Sequence, residues 1–152
     1  MGPDCSDAGR HSVTLRGRVL FGADKLVAQW VAARIPYLQP SPDMRALGVV
    51  EGDSLVAGVI YERFNGVHLE CSIAADLGSG WASRQTLKHL FGYPFVQLGC
   101  EAITVLVPAT NLASLNLATK LGFEMEAMVK YAAHDASPLV ILKMFRDTCR
   151  WI

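Results

Sequence analysis

The most specific pattern in the chain is the stretch Asn111-Leu-Ala-Ser114-Leu-Asn-Leu-Ala-Thr-Lys120-Leu-Gly122-Phe123. Its apolar spacing predicts a short amphipathic helix. Asn111 is suited to accept hydrogen bonds from the free amides of the first turn. Lys120 suits the negative end of the helix dipole, and Gly122 can adopt the left-handed conformation that follows a helix end. The stretch therefore predicts a helix with a defined beginning and a defined end.

The segments around this helix predict alternating strands and helices. Further helices are predicted at residues 24–34 and 82–98, and strands at 45–50, 55–64, 67–75, 102–107, 125–132 and 139–145. Asn65-Gly66 is the dipeptide most typical of a type I′ hairpin turn. Pro94 should break or kink the longer helix because it lacks an amide hydrogen. The order predicts an α/β (α+β) fold: a mixed, mostly antiparallel sheet of about six to seven strands with helices on both faces.

Length and charge indicate one ordinary globular domain. The chain has 152 residues, 51% of them hydrophobic, and its 14 basic residues balance its 14 acidic ones. We expect a single domain over residues 13–152 and a disordered tail over residues 1–12. With no net charge, composition does not predict a nucleic-acid or membrane partner. No apolar run approaches the roughly 20 residues that span a bilayer.

The four cysteines do not have the spacing of a metal site. Cys5, Cys71, Cys100 and Cys149 lie far apart, without a CxxC pair or a nearby histidine at zinc spacing. We therefore expect no metal. Free cysteines are usually buried as small apolar residues, and they are typical of a reducing compartment. The expected location is the cytoplasm.

The stretch 102–126, with the order of the elements, resembles the GCN5-related N-acetyltransferase (GNAT) fold. The resemblance extends from about residue 13 to the end of the chain. In that family, Asn and Ser at the positions of Asn111 and Ser114 face acyl-coenzyme A. Many members have a tyrosine at the position of Ala118, as the acid that protonates the leaving thiolate. Ser without that Tyr is more similar to the subgroup that acetylates ribosomal-protein N-termini, with its bacterial and phage relatives.

The resemblance implies an acetyl-coenzyme A site between two splayed strands. Backbone groups of Ile73, Ala74 and Ala75 would pair with the cofactor and polarise the thioester carbonyl. The pyrophosphate would rest at the N-terminus of the helix that follows, where free amides favour an anion.

The loop before that helix departs from the glycine-rich pattern of the family, because it reads Ser79-Gly-Trp-Ala-Ser-Arg84. Arg84 could bind a phosphate or be solvated, and Ser83 could donate to a phosphate or cap the helix. Trp81 could cover the cofactor or anchor the helix to the sheet.

Candidate catalytic groups lie on the 67–75 strand. A base, or a relay through water, must take the proton from the attacking amine. His68 and Glu70 share one face of the strand because side chains alternate with period two. Both could instead lie on a solvated face. Ser114 or a backbone amide could assist the leaving thiolate.

The implied activity is direct transfer of an acetyl group from acetyl-coenzyme A to a primary amine. The acceptor is left open between a protein N-terminus, a lysine, a small amine and a modified base. His134 and Asp135 could contact it or form a plain turn, and Glu124 and Glu126 could be an acidic rim or a wet strand face. Two other functions stay open: a GNAT-fold binding or regulatory module that has lost catalysis, and a protein–protein adaptor. The apolar residues 149–152 could pack on the domain or form a homodimer contact.

Overall fold

The computed structural model describes residues 12–76 and 78–152. The predicted tail over residues 1–12 therefore lies outside the described residues, apart from Ser12. The strands are β1 (Thr14–Arg16), β2 (Val19–Phe21), β3 (Arg45–Glu51), β4 (Ser54–Glu62), β5 (His68–Ala75), β6 (Ala102–Pro108), β7 (Glu124–Val129) and β8 (Leu139–Phe145). The helices are α1 (Asp24–Arg34), α2 (Arg84–Gly92) and α3 (Leu112–Leu121).

The strands form one eight-stranded sheet in the order β1-β2-β3-β4-β5-β6-β8-β7. Only the pairing of β5 with β6 is parallel among the described strands, as expected for the strand–helix–strand unit that contains α2. Helix α1 covers one face with Val27 and Val31. Helices α2 and α3 cover the other face. The predicted fold class is confirmed, with β1 and β2 added at the edge because three-residue strands leave little periodicity in a sequence.

Helix α1 has its predicted bounds and buries one helical stripe against the sheet. Val27, Ala28 and Val31 are buried, whereas Leu26 is 56% exposed. The helix lies very close to the sheet at Gly58 of β4. A Cβ atom built on Gly58 would lie 2.7 Å from Val31 Cγ2. The glycine therefore sets which side of α1 can meet the sheet.

Helix α2 begins two positions later than predicted, and its α-helical part ends at Gly92, beside the predicted break or kink at Pro94. The Ser83 side chain caps it by accepting a hydrogen bond from the Thr86 amide at 3.2 Å. After Gly92 the chain continues as a π-helical turn over Tyr93–Gln97, with Pro94 in its first turn. Pro94 has no amide to donate to the Leu90 carbonyl, and that carbonyl accepts instead from the Tyr61 hydroxyl at 2.6 Å.

The Asn65-Gly66 hairpin prediction is wrong in its turn type. A type I′ turn needs a positive φ at both central residues, but only Gly66 of the pair has one. The Asn65 side chain instead accepts from the amides of Val67 and His68, at 3.0 and 2.9 Å. The connection is longer, from Arg63 to Val67, and Arg63 itself adopts φ 58°. Strand β4 consequently ends at Glu62, two residues before the predicted boundary.

Strand β7 is shorter than predicted, β8 has its predicted bounds, and the end of the chain is packed. Strand β7 stops at Val129 because the chain turns at Tyr131, where φ is 59°. The Trp151 indole donates to the Leu121 carbonyl at 2.8 Å. Residues 149–152 thus pack against the end of α3, which agrees with the first of their two interpretations. None of the described helices has the length and apolar character required to span a membrane.

Candidate active site

Strands β5 and β6 separate part-way along their length. Their register runs only from His68 opposite Ala102 to Glu70 opposite Thr104. Beyond that point β5 stays paired with β4 as far as Ala75. Strand β6 stays paired with β8 as far as Pro108. The two central strands therefore splay apart. The part of β5 after Glu70 and the part of β6 after Thr104 each have an unpaired edge that faces the gap.

The amides that face this gap follow from the pairing of β5 with β4. The Asp76 amide donates to the Val56 carbonyl at 2.8 Å, directly opposite in register. Because bonding alternates in an antiparallel pair, the Ala74 amide is also directed at β4. The amides of Ile73 and Ala75 are directed the other way, into the gap. Of the three backbone positions predicted to bind the cofactor, the structure thus places two at the gap and one in the sheet.

A cavity of about 500 Å³ crosses the sheet at the gap. On the side of α3 it is lined by Ile73, Val107, Ser114, Leu117 and Ala118. On the side of α1 it is lined by Tyr37, Leu38, Glu62, Arg63, Glu70 and His134. One continuous space therefore connects the two faces of the sheet, so two molecules entering from opposite faces can meet between β5 and β6.

Helix α3 brings Ser114 to this cavity. Asn111 caps the helix, since its side-chain oxygen accepts from the Ser114 amide at 3.2 Å. Gly122 ends it in the left-handed conformation at φ 112°, as predicted. Ser114 lines the cavity, while Asn111 stands one turn before it. The cap occupies the oxygen of the Asn111 amide group and leaves its two N–H donors available.

The loop before α2 lies outside the cavity. Ser83 acts as the N-cap of α2, and its hydroxyl also donates to Thr86 Oγ1 at 3.0 Å. The Arg84 guanidinium is exposed and donates to the Arg150 carbonyl at 3.4 Å. Trp81 is buried in the core and lines a small apolar space next to Leu87 and Leu121. The geometry agrees with the capping interpretation of Ser83 and the anchoring interpretation of Trp81.

Three charged residues form one cluster on the α1 side of the cavity. Glu62 and Glu70 lie opposite each other on β4 and β5. Arg63 Nη1 lies 3.2 Å from Glu62 Oε1 and 2.8 Å from Glu70 Oε2. The Glu62 side chain is only 5% exposed, and its other oxygen accepts from the Ser41 amide at 2.8 Å. A buried carboxylate of this kind is stable only with such partners.

His68 lies below the point where the strands separate and does not line the cavity. Its Nε2 is 2.5 Å from Thr104 Oγ1. Burial, with a smaller effect from the Lys143 ammonium, lowers the pKa of His68 below the usual 6.5. His68 and Glu70 share a strand face as predicted, but only Glu70 reaches the cavity.

Sequence reasoning missed Arg63, Glu62 and Tyr37. Glu62 ends the apolar strand β4 and Arg63 follows it, and only the register between β4 and β5 brings them to Glu70. Tyr37 lies in the proline-rich loop, where no periodicity places a side chain. Glu124 and Glu126 lie on the exposed edge strand β7, and Glu126 pairs with Lys143 at 3.0 Å. Within residues 12–76 and 78–152, no group of three His, Cys, Asp or Glu side chains could hold a metal ion.

Comparison with known proteins identifies the fold. No protein-family model and no curated protein sequence matches the chain. Among solved structures, a mutant of the spermidine N-acetyltransferase SpeG from Vibrio cholerae superposes with a TM-score of 0.63 at 15% identity, over 95% of this chain and 88% of that chain. A GNAT-family acetyltransferase from Bacillus anthracis superposes with a TM-score of 0.56 at 14% identity, over 68% of this chain and 66% of that one.

The chain has the GNAT fold. At such low identity the likeness extends to the fold alone. The predicted likeness to the GNAT fold is confirmed, and the likeness to the ribosomal-protein subgroup stays a prediction.

Proposed function

We propose that this protein is an acyl-coenzyme A-dependent N-acyltransferase that transfers an acetyl group to a primary amine by direct attack. The observation that carries the proposal is the cavity that crosses the sheet between β5 and β6. A thioester that enters from the α3 side and an amine that enters from the α1 side can meet in this cavity. The fold that the chain shares with known acetyltransferases supports the same activity.

Backbone and hydroxyl groups would hold the acyl donor. The amides of Ile73 and Ala75 point into the gap, where they can pair with the pantetheine and stabilise the oxyanion that forms on the thioester carbonyl. Ser114 lines the same space, and the free N–H groups of Asn111 lie one turn away. The exposed Arg84 and the first-turn amides of α2 would receive the pyrophosphate. Ser83 shapes that turn as a cap, and Trp81 supports it from the core.

Glu70 is the proposed base. In the reaction the amine nitrogen attacks the thioester carbon, the C–S bond breaks, and an amide bond forms. The proton lost by the nitrogen passes to the Glu70 carboxylate, directly or through water. The leaving sulfur needs little help because a thiol is a fair leaving group, and Ser114 is placed to donate to it. His68 is the weaker candidate because it lies outside the cavity.

A covalent intermediate on cysteine is disfavoured by Cys71. Cys71 is the cysteine that lines the cavity within the described residues. Burial, reinforced by the charge of Glu70, raises the pKa of its thiol far above the usual range. A neutral thiol is a poor nucleophile. Direct attack by the amine is therefore the simpler route, and the free, buried thiols also suit the proposed cytoplasmic location.

A binding module without transfer activity is the second candidate. It is favoured by Ala118, which stands where many relatives have an acid. The hydrogen bond of Arg84 to the Arg150 carbonyl bears on donor binding in both candidates, since phosphate must compete with that bond. A module of this kind binds acetyl-coenzyme A but does not release free thiol in the presence of amines. The amine acceptor and the predicted likeness to the ribosomal-protein subgroup apply only to the first candidate, the acyltransferase.

Calorimetric titration with acetyl-coenzyme A tests both candidates at once. We expect binding by the unmodified protein and a loss of at least about tenfold in affinity for Ser114→Phe, because the ring fills the cavity beside Leu117 and Ala118. Asn116→Phe is the matched control, since Asn116 is exposed on the same helix. No binding by the unmodified protein, or equal affinity of the two variants, would refute the assigned site. Thiol release with amines then separates the enzyme from the module.

A further inference from the structure

Two aromatic side chains from opposite sides of the cleft are stacked over the α1 side of the cavity. Tyr37 belongs to the loop that follows α1, and His134 belongs to the connection between β7 and β8. Their ring centroids are 4.2 Å apart and the ring planes differ by 15°. Both residues line the cavity. The pair thus forms a bridge across the mouth that lies opposite α3.

Each half of the bridge is fastened to the framework. The loop of Tyr37 is held by the Ser41 amide, which donates to the buried Glu62 carboxylate at 2.8 Å. The connection of His134 is held by Asp135, which accepts from Thr110 Oγ1 at 2.6 Å and from the Ser137 amide at 3.0 Å. These bonds lower the pKa of the Asp135 carboxyl well below its usual range, with the Ser137 hydroxyl as the largest cause. The width of the mouth is therefore set by two stacked side chains on anchored segments.

Beneath the bridge the walls are aliphatic and the inner end is acidic. The apolar lining consists of Ile35, Leu38, Leu106, Ala132, Ala133 and Leu139. At the inner end lie Glu70 and Glu62 with Arg63 between them, two carboxylates against one guanidinium. Methylene groups favour apolar walls, and an ammonium favours carboxylates and the faces of aromatic rings. The chemistry of the passage therefore matches an alkyl chain that ends in an amine.

We propose that the Tyr37–His134 bridge selects the acceptor, and that the acceptor is a primary amine at the end of an unbranched alkyl chain. This inference rests on the proposed acyl transfer at the same site. The chain passes beneath the bridge and its ammonium reaches Glu70. The ammonium first gives one proton to water, and Glu70 then takes the proton that the amine nitrogen loses on attack. A free alkylamine and a lysine side chain share this chemistry. A ring or a branch next to the nitrogen meets Tyr37 and His134 first.

The test compares rates of thiol release for butylamine, a capped lysine and cyclohexylamine. In the unmodified protein we expect kcat/KM for cyclohexylamine to be at least about tenfold below that for butylamine. Tyr37→Ala and His134→Ala open the mouth and should reduce this difference by about tenfold. Tyr37→Phe keeps the stacked ring and should keep the preference. Tyr131→Ala is a second control, because Tyr131 lies in the same connection but is 83% exposed and lies outside the cavity.

The outcomes separate this inference from the proposed function. Equal preference in the unmodified protein and in Tyr37→Ala overturns the selecting bridge, and so does rejection of both unbranched amines while acetyl-coenzyme A still binds. A higher rate for capped lysine than for butylamine indicates that the alkyl chain of the acceptor is a lysine side chain of a protein. A higher rate for butylamine indicates a free alkylamine. If acetyl-coenzyme A does not bind, the proposed function fails. In that case, calorimetric titration with butylamine still tests the bridge by itself. Tyr37→Trp narrows the mouth, so equal butylamine affinity of this variant and the unmodified protein would refute the bridge.

Discussion

Arg63 holds two carboxylates with one guanidinium beside an open cavity. Its Nη1 atom contacts both Glu62 and Glu70, and the side chain itself is 57% exposed. An arriving ammonium can replace this partially solvated contact to Glu70, while Glu62 keeps its backbone partner at Ser41. Glu62 thus has a structural role in the cluster, whereas Glu70 can exchange its contact with Arg63 for a contact with the ammonium. The division follows from burial, because a carboxylate that is 5% exposed loses more stability without its partner than one that is 28% exposed.

Replacing Glu70 tests its assignment as the base. Glu70→Gln keeps the shape of the side chain but cannot accept the proton, so kcat should fall by about 10²- to 10⁴-fold. The affinity for acetyl-coenzyme A should stay the same, since the donor enters from the α3 side. Glu126→Gln is the control, because its carboxylate is exposed on β7 and pairs with Lys143. Similar kcat values for Glu70→Gln and Glu126→Gln would remove Glu70 from the reaction.

His68 should make the fold sensitive to acid. Burial lowers the pKa of His68 in the folded protein, so the unfolded chain binds the proton more readily. Stability contributed by neutral His68 is therefore present above about pH 6.5 and is lost as the pH falls from that value through the lower pKa of the folded state. His68→Gln should show a smaller drop in melting temperature between about pH 7.5 and about pH 5.5. Thermal melts at both pH values give the comparison, and an equal drop in both proteins would contradict the assignment.

At the scale of single residues, the sequence predicts what is local and misses what depends on register. The cap at Asn111 and the left-handed Gly122 are visible in one helical turn and are confirmed. The contact of Arg63 with Glu70 needs the pairing of Glu62 with Glu70, which no short window contains. Arg63 also adopts a positive φ, which an arginine in a sequence does not predict.

Helix α3 connects the stability of an element with the site. Asn111→Ala removes the bond to the Ser114 amide and should lower the free energy of unfolding by about 1 kcal/mol. Asn111→Asp keeps an oxygen at the cap but loses the amide N–H donors, so it should retain stability and lose affinity for acetyl-coenzyme A. Urea unfolding and calorimetric titration measure the two effects. If Asn111→Asp binds the donor as well as the unmodified protein does, Asn111 is a cap only.

Helix α1 depends on a glycine in the facing strand. Gly58→Ala places a methyl group 2.7 Å from Val31 Cγ2, so we expect a loss of about 1–3 kcal/mol in the free energy of unfolding. Gly92→Ala is the control, since no atom lies within 4 Å of a Cβ there and the residue is helical. Denaturant midpoints decide the outcome. Equal midpoints for Gly58→Ala and Gly92→Ala would show that α1 does not need the close approach.

At the scale of elements, helix positions follow from the sequence but their docking does not. The bounds of α1 are correct, yet Leu26 is exposed because Gly58 draws Val27 and Val31 to the sheet instead. The Asn65-Gly66 pair indicates a connection at the right place but not its geometry, since the Asn65 side chain forms its own turn with Val67 and His68. The turn propensity of the residues determines where a connection lies, and tertiary contacts determine its backbone geometry.

At the scale of the molecule, one break in strand pairing produces the site. Strand β6 takes β8 as its long partner, so β5 and β6 share only the pairs from His68 to Glu70. The break leaves backbone amides without strand partners beside a cavity that opens on both faces. A sequence predicts such a gap only by resemblance to known folds, because each strand alone reads as an ordinary apolar strand.

Amide hydrogen exchange at Ile73 and Ala75 tests the central claim most directly. If acetyl-coenzyme A lies between β5 and β6, both amides gain a partner and their exchange should slow on saturation with the donor. The Ala74 amide is directed at β4, so its exchange should change less. Nuclear magnetic resonance resolves the three neighbours in one titration. Unchanged exchange at Ile73 and Ala75 with the donor bound would place the acyl group elsewhere and contradict the account.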